Sequence, residues 1–205
     1  AYQAGDYATA LQEWTPLAEA GNVRAQINLG YMYEMGQGVS QDYAEAVRLY
    51  RLAADQGYAL AQTNLGYMYE NGQGVLQDYA EAVRWYRLAA DQGNVRAQGN
   101  LGLMYDNGQG VLQDYAEAVR LYRLAAEQGY ARAQTNLGYM YDNGQGVLQD
   151  NVMAHMWYNI SAANGNELGG TNRDSIAEGM TSSDISTAQA MARDCMSSGY
   201  QNCGY

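Results

Sequence analysis

The strongest constraint on this chain is a period. Asp6, Asp42, Asp78, Asp114 and Asp150 recur at intervals of 36 residues, and so do Gly21, Gly57, Gly93, Gly129 and Gly165. The segment from Asp42 to Gln77 and the one from Asp114 to Gln149 differ only at Asp55/Glu127, Leu60/Arg132 and Glu70/Asp142. A unit of that length cannot bury an apolar face alone, so a fixed period of this size predicts units stacked into a solenoid.

Each unit reads as two helices. Asp42-Tyr-Ala-Glu-Ala-Val-Arg-Leu-Tyr-Arg-Leu-Ala-Ala-Asp-Gln-Gly57 opens on an N-cap residue, places Glu45 where a capping box puts an acid, and ends on Gly. This is helix B. Ala59 to Asn71 is rich in good helix formers and stops at Gly72 and Gly74, giving a helix A. Ala61, Leu65, Met68 and Tyr69 form one apolar stripe on helix A, and Ala46, Tyr50, Ala53 and Ala54 do so on helix B. Gly30, Gly66, Gly102 and Gly138 sit inside successive A helices. Each costs about 1 kcal/mol of helix propensity against Ala. A cost repeated in every unit predicts close helix contact there.

The expected fold is therefore an all-α, α/α superhelical solenoid of helix-turn-helix repeats, about ten helices in one domain spanning 1–205. Residues 1–21 form an N-terminal partial repeat, 22–165 four units, and 166–205 C-terminal capping helices. Pro16 stands at the place of Leu52, where an interior proline is expected to kink or break the helix. Thr181-Ser-Ser-Asp184 reads as a capping box that opens a last helix over about 182–198.

Charge narrows function. The net charge is −11, and all 11 basic residues are Arg. An acidic surface opposes phosphate backbones and anionic lipid, so neither nucleic acid nor membrane insertion is expected. Without Lys there is no P-loop lysine, no Schiff base and no Ser-x-x-Lys pair. No apolar run approaches the roughly 20 residues that cross a bilayer, and no signal peptide is present in the chain as given.

The pattern Ala-x-Ala-Gln-x-Asn-Leu-Gly-x-Met-Tyr-x-x-Gly-x-Gly-Val from Ala59, followed by Asp78-Tyr-Ala-Glu-Ala-Val-x-x-Tyr-x-x-Ala-Ala-x-Gln-Gly93, resembles the Sel1-like repeat, a relative of the tetratricopeptide repeat. The resemblance runs from about Asp6 to Gly165. It implies a non-enzymatic scaffold or adaptor, often in a bacterial envelope, that binds a protein or peptide on the concave helix-A face and needs no cofactor. The residues placed on that face are Asn28, Tyr31, Asn64, Tyr67, Arg96, Asn100, Arg132, Asn136 and Tyr139. Asn offers both donors and acceptors to an extended backbone, and Tyr offers apolar area with a polar tip. The variable Arg24 and Leu60, and the series Ile27, Thr63, Gly99 and Thr135, are expected beside them as determinants of specificity. The alternative for the Asn row is a structural hydrogen-bonding duty within each repeat.

Other candidates carry less chemistry. Glu34, Glu70, Asp106 and Asp142 form an acidic row that either attracts a basic segment or is simply solvated. The Asp-Asn-Gly-Gln-Gly loops lack the ligand pattern of a calcium loop, so no metal is expected. His155 replaces the valine of other repeats, has no partner for catalysis, and reads as structural, like the series Trp14, Tyr50, Tyr86, Tyr122 and Tyr158. Cys195 and Cys203 match a motif that, in a cysteine-rich secreted branch of the resembled family, bridges consecutive helices. That implies a disulfide and a periplasmic or secreted location; two reduced thiols are the alternative. Competing functions are a hydrolase or penicillin-binding activity, as proposed for those relatives, and a self-associating structural solenoid, although a monomer is favoured.

Overall fold

The computed structural model describes Tyr2 and residues 5–204, and among these the secondary structure is helical, with no strand. Eleven helices follow in order: α1 (Tyr7–Glu19), α2 (Val23–Met35), α3 (Tyr43–Asp55), α4 (Ala59–Asn71), α5 (Tyr79–Asp91), α6 (Val95–Asn107), α7 (Tyr115–Ala126), α8 (Ala131–Asn143), α9 (Asn151–Ala163), α10 (Glu167–Ala177) and α11 (Ser182–Ser197). The A helices are α2, α4, α6 and α8; the B helices are α1, α3, α5, α7 and α9. The helix beyond the expected ten is α10, which starts one period after α8 and opens a further pair. No described helix is long and apolar enough to cross a membrane. The residues group into two compact units, one through Ala97 and one from Gln98.

Local chemistry sets the helix ends. The Asp42 carboxylate accepts the Glu45 N–H at 3.0 Å, and Asp78 accepts those of Ala80 and Glu81 at 3.0 Å. Each such cap stabilises its helix by about 1 kcal/mol. The reciprocal half of a capping box is not made in the repeats. Glu45 instead grips Arg48 one turn on, at 2.6 Å, while the Asp42 N–H donates to the Tyr33 carbonyl of α2 at 2.9 Å. At Thr181 the Asp184 N–H donates to Thr181 Oγ1 at 3.2 Å, and the Asp184 carboxylate accepts from the Thr181 hydroxyl, at 2.8 Å, instead of from its N–H. A helices stop at glycine in the left-handed region, such as Gly72 at φ 65°.

The expected break at Pro16 does not occur, because α1 continues through it to Glu19. Proline withdraws its own N–H from the ladder and crowds the carbonyl four residues back, but the bonds and burial around it hold the helix. The Ala20 N–H still donates to the Pro16 carbonyl at 3.0 Å, and the buried Ala10 and Ala18 hold both ends of α1 in the core.

In the N-terminal unit the core is built where α3 packs on α2 and α5 packs on α4. Tyr50, Leu65 and Met68 are fully buried there, with Val47 and Trp85 nearly so. The glycines mark the closest approaches. A Cβ on Gly30 would lie 2.8 Å from the Tyr50 ring, and one on Gly66 would lie 2.8 Å from the Tyr86 ring. In the C-terminal unit the same pairs recur, Gly102 under Tyr122 and Gly138 under Tyr158, at 2.8 and 2.7 Å. Trp157, Met156 and Ile160 of α9 fill the core between α8, α10 and α11.

Candidate functional site

The residues placed on the helix-A face divide by depth. In the N-terminal unit Tyr31 and Tyr67 are 40% and 39% exposed, and Asn28 and Arg96 are exposed with them. In the C-terminal unit Tyr139 and Arg132 are exposed, while Asn100 and Asn136 are half-buried. Asn64 is half-buried too, with its side chain beside the Tyr50 hydroxyl, as that of Asn136 is beside Tyr122. Arg24 and Leu60 are exposed.

The series Ile27, Thr63, Gly99 and Thr135 is not on this surface. All four are buried. The Thr63 hydroxyl donates to the Ala59 carbonyl at 2.8 Å, Thr135 Oγ1 lies 2.6 Å from Ser161 Oγ, and a Cβ on Gly99 would meet the Tyr130 ring at 2.8 Å. Variation there follows packing partners, so these residues cannot select a ligand directly.

The acidic row is half-exposed and also bonded within the repeat. Tyr50 donates its hydroxyl to the Glu34 carboxylate, and Tyr86 does the same to Glu70. Tyr122 donates to Asp106 at 3.1 Å and Tyr158 to Asp142 at 3.4 Å. Burial first, and the neighbouring carboxylate second, push the phenols of Tyr50 and Tyr122 far above their ordinary range. They therefore remain protonated donors. Burial raises the Asp106 carboxyl as well, against the lowering effect of the Tyr122 hydrogen bond. Each acid thus ties the end of one helix A to the ring that covers its glycine, which commits part of its acceptor capacity inside the repeat.

A second row escaped notice in the sequence. Gln26, Gln62, Gln98 and Gln134 are buried at one position of successive A helices. The Gln62 amide donates to the Ala54 carbonyl of the preceding B helix at 3.3 Å, and its oxygen accepts from Gln92 of the following one at 2.8 Å. Gln26 makes both bonds, to the Ala18 carbonyl at 3.1 Å and from Gln56 at 3.0 Å. So does Gln134, to the Ala126 carbonyl at 3.0 Å and from Asn164 at 2.8 Å. The sequence showed only that a polar residue recurs beside the apolar stripe; the partners that its burial requires come from the fold.

His155 is buried, and its Nδ1 has no hydrogen-bond partner. Burial and the nearby Arg173 hold its pKa below the ordinary value, so it sits in the core as neutral imidazole. Cys195 and Cys203 form a disulfide with Cα atoms 4.5 Å apart, both sulfurs out of solvent. The bridge ties the last turn of α11 to the tail after Tyr200, rather than joining two consecutive helices.

The Sel1 repeat family model matches four consecutive segments, 23–58, 59–94, 95–130 and 131–166. A solved protective antigen of uropathogenic Escherichia coli strains, displaying an SLR fold, is 39% identical with a TM-score of 0.81 over 91% of this chain. The chain spans 41% of that antigen's length. A solved Sel1 repeat protein from Oxalobacter formigenes is 35% identical with a TM-score of 0.73, over 97% of this chain and 74% of its own. No curated protein matches the chain.

Proposed function

The chain belongs to the Sel1 repeat family, generally protein–protein interaction scaffolds, and on that premise we propose that it holds an extended segment of another protein on its helix-A face. One observation carries the reading: Tyr31 and Tyr67 are large, amphipathic, exposed, and set one period apart on α2 and α4. Side chains of this kind give contact area at low conformational cost. Arg24 and Leu60, at the equivalent start of the same helices, differ in chemistry and would vary what each repeat accepts.

The protein works outside the cytosol, in a bacterial envelope or beyond it. The disulfide supports this, because such bonds persist in oxidising compartments, and so do the bacterial relatives.

The test is affinity capture from a bacterial envelope extract, with the intact chain and two variants as bait. Tyr31→Ala/Tyr67→Ala truncates exposed positions, where stability shifts by only about 0.5 kcal/mol. It is expected to lose at least about tenfold in affinity for whatever the parent retains, if the pair acts as the anchor. Leu88→Ala, exposed on helix B, should bind like the parent. Equal retention by the tyrosine variant, with loss by Leu88→Ala, rejects this face.

A further inference from the structure

Arg51 and Arg123 occupy the same position two repeats apart, and each reaches a tyrosine on the next helix. The Arg51 guanidinium lies over the Tyr69 ring, 5.6 Å from its centroid, and donates to the Tyr69 hydroxyl. Arg123 donates to the Tyr141 hydroxyl at 3.1 Å. One period earlier, the two places are held by Thr15 on α1 and Tyr33 on α2. Thr15 is too short to cross, and its hydroxyl donates to the Leu11 carbonyl of its own helix at 2.8 Å.

The space that arginine fills elsewhere is open here. A groove of about 660 Å³ runs between α1 and α3, with Thr15 and Glu19 on one side, Leu52 and the Glu45–Arg48 pair on the other, and Tyr33 of α2 between them. Arg48 is already committed, with its Nη2 and Nε donating to Glu45 at 2.6 and 2.8 Å. Glu19 and Glu45 against Arg48 leave the groove one negative charge in excess.

We propose that this groove is the docking site for an arginine side chain of a partner protein. Its guanidinium stacks on Tyr33 and donates to the Tyr33 hydroxyl, as Arg51 does at Tyr69, with Glu19 supplying the opposite charge. The planar, weakly hydrated guanidinium suits a ring face and a carboxylate together better than the compact, strongly hydrated lysine ammonium does. Exposed Leu52 offers apolar cover to the arginine stem. The net charge of −11 draws a basic segment toward the surface from a distance. The groove shares no lining residue with the helix-A face, so the inference is independent of the function proposed above.

The experiment is an NMR titration of the full chain with Nα-acetyl-arginine N-methylamide, and in parallel with the lysine analogue. Saturable shifts are expected at the amides of Thr15, Glu19 and Tyr33, with Kd on the order of 1–10 mM for so small a probe. Lysine should bind at least about fivefold more weakly. Thr15→Arg, which supplies the missing internal arginine, should abolish the shifts. Glu19→Gln, at an exposed position, should weaken binding about threefold and decides the matter should Thr15→Arg fail to fold. No saturable shift at these amides, an equal response to the lysine analogue, or unchanged affinity in folded Thr15→Arg or in Glu19→Gln overturns the proposal.

Discussion

At Gly66 two tendencies oppose each other. Alanine would add about 1 kcal/mol of helix propensity, yet its Cβ would lie 2.8 Å from two atoms of the Tyr86 ring and 3.3 Å from the Ala82 carbonyl oxygen. Tyr86 cannot yield readily, because it is fully buried and its hydroxyl is fixed on Glu70. Overpacking of this kind costs about 1–3 kcal/mol. Gly66→Ala is thus expected to lower stability by about 1 kcal/mol in urea denaturation, and a gain would show that the ring moves aside freely. This glycine was legible in the sequence because it violates propensity in every repeat, and only a close neighbour explains such a cost. Gln62 was not legible. It sits in phase with the apolar stripe, and only the fold reveals the carbonyl and the second amide that make its burial tolerable. The acidic row was misread for a related reason: the tyrosine that claims Glu34 lies 16 positions away on another helix.

Among the elements, α11 depends most on a covalent tie. Helices α2 to α10 each lie between two helices in the chain, whereas α11 packs on α9 and is followed by the tail that carries Cys203. The Tyr200 N–H donates to the Cys195 carbonyl at 2.8 Å, and the Tyr200 hydroxyl reaches Asn164 after α9. Closing so short a loop removes about 2–3 kcal/mol of unfolded-chain freedom in the entropic model. Reduction should therefore speed amide exchange in the last turn of α11 and the tail by up to about a hundredfold. Exchange in α2 and α3, in the other unit, should stay as it was. Uniform acceleration along the chain would show that the bond supports more than its own corner. The Thr181 start was readable from spacing, and the thiol pair from the family resemblance that its two cysteines carry. The persistence of α1 through Pro16 was not, because local propensity carries no information about how firmly a face is buried.

For the molecule as a whole, the joints at Gln26, Gln62 and Gln134 are made by the same groups. A glutamine clasps two B helices, a tyrosine covers a glycine, and an acid holds the tyrosine's hydroxyl. Deleting residues 42–77 would bring Gln26 against Gln92, Gly30 under Tyr86 and Glu34 onto the Tyr86 hydroxyl, restoring each bond with its own kind. The shortened chain is expected to stay helical by circular dichroism and to unfold in one transition at a somewhat lower temperature, since a solenoid's stability sums over its units and interfaces. Broad, non-cooperative melting would mean that the joints are not interchangeable. The glutamine clasp then bears on inheritance. Near-identical coding segments recombine out of register, and most proteins are ruined when they do. Here the product differs in length and keeps its joints, so the number of repeats becomes a quantity that a lineage can lengthen or shorten without first inventing a new fold.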